Sequence, residues 1–279
     1  MHRWLLPLAL GLIITGCSAE DEYADRMATE HRDDAPVANP MSETAPATDI
    51  IEQEVVYAEV DGLPVSGFLA RPSGGVAGPG LIVIHEWWGL NDNIRAMARR
   101  LAGEGYVALA VDLYNGQVAD DRDAAYSLMK AANGAPETAK SNLMQAYDYL
   151  ANDLGVPSVA SVGWCFGGAW SLNAALAMPT TLDATVIYYG HLVTDPKALA
   201  TLDMPILGLF GAEDQGIPLD SVETFSSTLE ELGKDATIVI YPGADHAFAN
   251  PSGRNYQAEA AEQAWQTTLD FLAEKLPRS

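Results

Sequence analysis

The sequence predicts an α/β protein with a mostly parallel, doubly wound sheet and helices on both faces. Residues 81–84 and 106–111 are continuous apolar runs, as in strands that are buried on both faces. Such runs alternate with segments of helical periodicity, which is typical of parallel sheets. The chain of 279 residues is 48% hydrophobic, which suffices for one large core. These three observations favour one large α/β domain.

The first elements of the domain are antiparallel. Two β-rich stretches flank Asp61-Gly62, a dipeptide that favours a tight hairpin turn. The next strands and helices follow in alternation, and the last of these helices opens with a proline, as helices often do. We predict strands at residues 52–60, 63–70, 81–84 and 106–111, and helices at residues 92–104, 121–132 and 136–151.

The second half of the domain continues the alternation. A strand at residues 158–163 is followed directly by a helix at residues 166–178. Further strands are predicted at residues 184–189, 205–210 and 236–241, and helices at residues 220–232 and 256–276. Because strand and helix keep alternating without a shift in composition, we predict no second folded domain.

The charge of the chain excludes one class of function. There are 15 Lys and Arg against 38 Asp and Glu, a formal net charge of −23. Such a surface repels phosphate backbones and anionic lipid surfaces, so we expect no nucleic-acid partner.

The N-terminus has the pattern of an export signal. A basic start, an apolar segment at residues 4–14 and small residues precede Cys17. The segment is too short for a permanent transmembrane helix. Ile14-Thr15-Gly16-Cys17 resembles the lipobox of bacterial lipoproteins, in which the signal is cut before a cysteine that becomes lipidated. An ordinary secretory signal and an uncleaved anchor are the alternatives.

These features give the expected organisation. Residues 1–16 are a lipoprotein-type signal peptide, residues 17–50 a flexible acidic tether poor in large apolar side chains, and residues 51–279 the α/β domain. We expect a monomer anchored in the cell envelope through lipidated Cys17. Ser18 resembles lipoproteins sorted to the outer membrane, which places the domain in the periplasm; a soluble periplasmic or secreted protein is the alternative.

A glycine-rich turn presents the second cysteine of the chain. Gly163, Gly167 and Gly168 surround Cys165 between a predicted strand and helix, so the backbone there can turn sharply. This is the geometry of a nucleophile elbow, with cysteine in the place of the commoner serine. A helix N-terminus also favours the thiolate. The alternative is a close-packed crossing that contains a buried structural cysteine.

An acid and a histidine follow the elbow at the ends of later strands. Asp214 follows the strand at residues 205–210 and His246 follows the last strand, so both lie where functional groups gather in open α/β sheets. The order nucleophile, acid, histidine is that of α/β-hydrolases. From spacing alone Glu213 and Asp245 remain alternative acids, Asp214 could cap a helix, and His246 could be a surface residue.

Residues 51–276 resemble the dienelactone hydrolase family. The motifs that carry the resemblance are Ile84-His85-Glu86-Trp87-Trp88-Gly89-Leu90, Val111-Asp112-Leu113-Tyr114, Gly163-Trp164-Cys165-Phe166-Gly167-Gly168, residues 211–218 and residues 243–248. The resemblance implies the α/β-hydrolase fold and a triad of Cys165, Asp214 and His246. It also implies that Glu86 contacts the thiol and moves aside when substrate enters.

The resemblance and the elbow together predict the substrate site. The backbone N–H groups of Phe166 and Trp87 would form the oxyanion hole. Arg122 is similar to one of two arginines that hold the lactone carboxylate in the family, whereas the second position falls at Asn250. The aromatic residues that could wall an acyl pocket, or serve only as core packing, are Trp87, Trp88 and Tyr114.

We therefore expect a cysteine hydrolase of small carboxylic esters or lactones. No cofactor is expected, because the glycine-rich turn lacks the dinucleotide-binding pattern. No metal is expected either, because the five histidines show no paired ligand spacing. The alternative function is a redox-responsive or ligand-binding envelope lipoprotein that keeps the fold without hydrolytic turnover.

Overall fold

The computed structural model describes residues 19–34, 45–75 and 78–276, which form one eight-stranded sheet with flanking helices. The strand order is β1-β2-β4-β3-β5-β6-β7-β8. The strands are β1 (Ile50–Val60), β2 (Leu63–Pro72), β3 (Gly80–Ile84), β4 (Val107–Val111), β5 (Val159–Trp164), β6 (Ala184–Tyr188), β7 (Ile206–Gly211) and β8 (Ala236–Tyr241). Each predicted strand is present, with bounds that differ by no more than two residues.

The sheet is antiparallel only at its first edge. β1 and β2 form a hairpin through Asp61 and Gly62, which both have positive φ, as the tight turn requires. β2 then pairs antiparallel with β4, and all pairs from β4 to β8 are parallel. The predicted mostly parallel α/β sheet is therefore confirmed. Every residue of β3 to β7 is buried, which agrees with their continuous apolar sequences.

Helices cover the two faces of the sheet. They are α1 (Ala19–Glu30), α2 (Asp92–Gly103), α3 (Arg122–Asn133), α4 (Pro136–Asp148), α5 (Phe166–Ala177), α6 (Pro196–Leu199), α7 (Leu219–Glu231) and α8 (Ala258–Lys275). Those from α2 to α7 lie in the connections between the parallel strands. A π-helical turn, Tyr149–Asp153, extends α4. Side chains of Asn91 and Asp121 cap α2 and α3 by accepting a backbone N–H of the first turn. Among the described helices, none is long and apolar enough to cross a membrane.

Within the predicted flexible tether at residues 17–50, the structure corrects the expectation for residues 19–34. Residues 19–30 form helix α1, in which Tyr23, Ala24 and Met27 are buried against the domain. His31, just beyond the helix, is also buried. Tyr23, Met27 and His31 are four residues apart, so they lie on one face of the helical segment. The segment is poor in apolar residues overall, but those it has are concentrated on that face. Cys17 and the predicted signal peptide lie outside the described residues.

Candidate active site

Cys165 lies at the sharp turn from β5 into α5. Its backbone has φ 54° and ψ −116°, an unusual conformation for a residue with a side chain. The flanking glycines allow the close approach that this turn needs: a Cβ on Gly163 would overlap the carbonyl of Gly167, and one on Gly167 would overlap that of Ile84. Strand, turn and helix therefore have the geometry of a nucleophile elbow.

Asp214 and His246 follow the neighbouring strands β7 and β8. The Oδ2 atom of Asp214 lies 2.8 Å from Nδ1 of His246, and both residues are buried. The other carboxylate oxygen accepts the backbone N–H of Ile217. Glu213 is exposed, and within the described part of the chain the Asp245 side chain accepts the backbone N–H of His246 and not its ring. Of the three acids that spacing left open, Asp214 is the one that contacts the imidazole.

The Cys165 thiol lies within a cluster of three further side chains. Its Sγ is 3.6 Å from Nε2 of His31 and 3.8 Å from Sδ of Met27. One ring nitrogen each of His31 and His246 and the Cys165 sulfur all lie within 4.8 Å of one another. Nε2 of His246 has no hydrogen-bond partner within the described part of the chain. Cys165 itself is fully buried, because Met27 and His31 cover it.

His31 is held in this position by several contacts. Its Nδ1 lies 2.8 Å from Oδ2 of Asp34, and its ring stacks on Trp87 at 4.5 Å between centroids. Asp34 also accepts the backbone N–H of Arg254, whose guanidinium pairs with Asp33 at 2.8 Å. These contacts hold the segment after α1 in place over the elbow.

Sequence analysis assigned no role to His31 or Met27. The signal that could have revealed them is the four-residue spacing of Tyr23, Met27 and His31, which indicates an amphipathic helical segment. That spacing indicates a buried face but not what the face covers. Only the folded structure brings it to Cys165.

The buried charges of the cluster shift one another's protonation. Burial would raise the pKa of the Cys165 thiol, but the nearby charge of His246 and the contact with His31 lower it to about 6. Burial would lower the pKa of His31, but Asp34 and Cys165 raise it to about 9. The pKa of His246 is likewise raised, against the effect of burial, by the charges of Asp214 and Cys165. The arrangement therefore favours a thiolate next to imidazolium.

Glu86 lies at the carboxyl end of β3 and is buried. Its Oε2 accepts a hydrogen bond of 2.7 Å from the side chain of Asn250, whereas Oε1 has no partner among the described residues. Burial, with a contribution from the charge of Cys165, raises the pKa of Glu86 to about 8. A cavity of about 160 Å³ opens beside Glu86 and Asn250, and its lining includes Tyr189 and Trp164 but not Cys165.

The structure separates the remaining predicted site residues into two groups. Trp87, Trp88, Tyr114 and Phe166 are all buried and form two ring pairs, Trp87 with Trp88 and Tyr114 with Phe166, and Phe166 is the first residue of α5. Arg122 instead begins α3, with its side chain 42% exposed and 3.5 Å from the carboxylate of Asp123. Trp87 therefore lies next to the cluster around the thiol, through its stacking on His31, and Phe166 directly follows Cys165, whereas the Arg122 guanidinium pairs with its neighbour at the surface.

Comparison with known proteins gives one consistent result. Residues 65–276 match the model of the dienelactone hydrolase family. A relative from Saccharolobus solfataricus, named carboxymethylenebutenolidase, is 34% identical over 80% of this chain and 98% of its own length. A relative of the same name from Escherichia coli is 34% identical over 85% of this chain and 93% of its own length.

A solved structure gives the same result for the fold. The crystal structure from Klebsiella pneumoniae titled as a dienelactone hydrolase has a TM-score of 0.72 and 31% identity. The match covers 81% of this chain and all of that chain.

Proposed function

The chain belongs to the dienelactone hydrolase family, and from this premise we propose that it hydrolyses carboxylic esters or lactones through Cys165, His246 and Asp214. The observation that carries the proposal is the position of a thiol at a strained elbow beside an imidazole that is itself bound to a buried carboxylate. That arrangement supplies a nucleophile, a base and an orienting acid.

The reaction would proceed in two stages. The Cys165 thiolate attacks the carbonyl carbon, and the tetrahedral intermediate collapses to a thioester with the leaving alkoxide protonated by His246. His246 then takes a proton from water, which attacks the thioester and releases the acid and Cys165. Asp214 holds the imidazole and stabilises its charged form. The N–H groups of Phe166 and Trp87 would bind the oxyanion, and loss of one such donor typically costs ~10²–10³ in rate.

Glu86 has a supporting role in this proposal. With its pKa raised to about 8, the carboxyl is mostly protonated at neutral pH and does not repel the thiolate. Asn250 binds one of its oxygens. The position where the family resemblance would place a second arginine therefore orients Glu86 instead of binding a substrate carboxylate.

Substrate entry requires the segment that ends in His31 to move. Cys165 is fully buried beneath Met27 and His31, so the thiol cannot reach a carbonyl carbon while α1 is docked. We propose that α1 opens during turnover and that Trp88 and Tyr114 then line an apolar acyl site. Arg122 remains the candidate contact for a substrate carboxylate.

The proposal is tested by hydrolysis of a dienelactone and a panel of short aryl esters by the full chain, with Cys165→Ala as the matched variant. We expect cysteine-dependent turnover of neutral esters. Cysteine-dependent turnover of the dienelactone would show that a lactone carrying a carboxylate is accepted although Asn250 stands at the position of the second arginine. Retained activity in a folded Cys165→Ala protein, or no turnover of any substrate, would overturn the mechanism. The absence of all turnover would favour the redox-responsive or ligand-binding alternative, for which the family relationship gives less support.

A further inference from the structure

The side chains around Cys165 form a set of metal-binding donors that the hydrolytic mechanism does not require. Hydrolysis needs one imidazole beside the thiol, but the structure places two there, from His31 and His246. The three donor residues are at most 2% exposed and come from three separate segments of the chain. That separation explains why no ligand spacing was visible in the sequence.

Both imidazoles are oriented as metal ligands usually are. Nδ1 of His31 is 2.8 Å from Asp34, and Nδ1 of His246 is 2.8 Å from Asp214. Carboxylates in this position fix the ring and leave Nε2 available to a metal. Nε2 of His246 is buried and has no hydrogen-bond partner among the described residues, so in the resting structure this nitrogen is available to a metal ion.

The distances fit a bound ion. Zinc bonds of about 2.3 Å to sulfur and about 2.0 Å to nitrogen imply a tetrahedral nitrogen-to-sulfur separation of about 3.5 Å. His31 Nε2 and Cys165 Sγ are 3.6 Å apart. No two of the three donor atoms are more than 4.8 Å apart. The donor atoms would therefore have to approach one another by at most about 1.5 Å to reach tetrahedral zinc geometry.

We propose that Cys165, His31 and His246 bind a soft, thiolate-seeking d¹⁰ cation, Zn²⁺ or Cu⁺, which locks α1 over the elbow. The donor set of one thiolate and two imidazoles suits both ions. The Met27 thioether, with Sδ 3.8 Å from the Cys165 sulfur, would be a weak further ligand for copper. On binding, Cys165 coordinates as thiolate, the two imidazoles are neutral, and the protons they carried are released to solvent.

Bound metal would make the hydrolase inactive. The ion is bound by the thiolate lone pair with which Cys165 would attack the carbonyl carbon. It is also bound by the His246 nitrogen that would transfer protons. Its bond to His31 also keeps α1 in place. This consequence rests on the proposed function, whereas the metal site does not, because binding can be measured without substrate.

The test is a titration of the chelator-treated full chain with Co²⁺, a spectroscopic substitute for Zn²⁺. We expect a thiolate-to-cobalt charge-transfer band at one equivalent, which excess Zn²⁺ removes. Cys165→Ser should abolish the band, and His31→Gln should weaken affinity at least about tenfold. His191→Gln is the matched control: His191 lies against Tyr23 of α1, at 4.6 Å between rings, but outside the donor cluster, so the band should persist.

Parallel titrations with Cu⁺ and Zn²⁺ identify the ion, and the Co²⁺ titration distinguishes the two proposals. A loss of Cu⁺ affinity in Met27→Leu with unchanged Zn²⁺ affinity would identify copper as the fitting ion, and equal affinities in both proteins would identify zinc. The absence of a charge-transfer band, or an affinity in His31→Gln equal to that of the unmodified chain, would overturn the site. A protein that binds Co²⁺ but, in its chelator-treated metal-free form, hydrolyses no ester would overturn only the enzymatic proposal.

Discussion

Cys165 combines two features that oppose the stability of the fold. Its φ of 54° is strained for a residue with a Cβ, and its thiol is charged near neutral pH although it is buried. The imidazolium partners stabilise the charge, whereas Gly163 and Gly167 leave room for the close turn but do not relieve the positive φ of Cys165 itself. Stability is thus given up at the residue where a reactive sulfur is needed.

Glu86 provides a prediction about pH at the residue scale. Its pKa is about 8 in the folded protein, against an ordinary value near 4.5, because burial and the charge of Cys165 disfavour the carboxylate. The charges of His31 and His246 lower this pKa, and the charge of Asp34 raises it. Between these two values the folded state binds more protons at Glu86 than the unfolded state does. The contribution of Glu86 to stability therefore falls as pH rises, and the loss is complete above about pH 8.

Replacing Glu86 by Gln should remove this dependence. Gln keeps the shape and can still accept from Asn250, so Glu86→Gln should be more stable than the unmodified chain above pH 8 by up to a few kcal/mol, since one pKa unit is about 1.4 kcal/mol. The difference should shrink as pH falls toward 4.5. Denaturant unfolding across this range measures it. A stability difference between the two proteins that does not change with pH would contradict the raised pKa.

At the scale of elements, the predictable and unpredictable parts of the fold have different physical origins. β3 to β8 and their helices were predictable because each strand is a continuous apolar run and each helix has its own periodicity. Asp214 and His246 were predictable as residues at strand ends. Helix α1 was missed because overall composition indicated disorder, although Tyr23 and Met27 have helical spacing. Met27 and Cys165, which are in contact, are more than 130 residues apart in the chain, so the contact produces no local sequence pattern.

Helix α1 gives a prediction about access to the thiol. Tyr23 and Met27 are its buried contacts, and burial of such a side chain is worth roughly 1.5–3 kcal/mol. The double substitution Tyr23→Ala and Met27→Ala should therefore shift α1 toward the undocked state. We expect the alkylation rate of Cys165 to rise about tenfold or more, since 1.4 kcal/mol is a factor of ten. Ester hydrolysis should rise with it.

The control for this experiment is Thr29→Ala. Thr29 is exposed on the same helix, and its hydroxyl donates a hydrogen bond to the Asp25 carbonyl of that helix. Alkylation is measured with chelator present, so that bound metal does not obscure the effect. Equal alkylation rates in the double variant and in Thr29→Ala would show that α1 does not control access to Cys165.

At the scale of the whole molecule, the N-terminal sequence connects the predicted anchor with the active site. Cys17 precedes the first residue of α1 by two positions, and α1 covers Cys165. If Cys17 carries the lipid, the segment that closes the site is also the segment nearest the membrane. The net charge of −23 supplies no attraction to anionic lipid, so we propose that the acyl chains alone hold the protein at the envelope.

Substitution of Cys17 by Ala should therefore release the protein from the membrane. Each buried methylene of an acyl chain contributes about 0.8 kcal/mol to membrane binding, so loss of the lipidation site should move the chain almost wholly to the soluble or unprocessed fraction. Fractionation of cells that express Cys17→Ala measures this, and Cys165→Ala, which alters the other cysteine, should stay with the membrane. Equal membrane partitioning of the two variants would contradict the lipid anchor. It would leave an uncleaved apolar segment at residues 4–14 as the attachment, and α1 would then close the site without a lipid beside it.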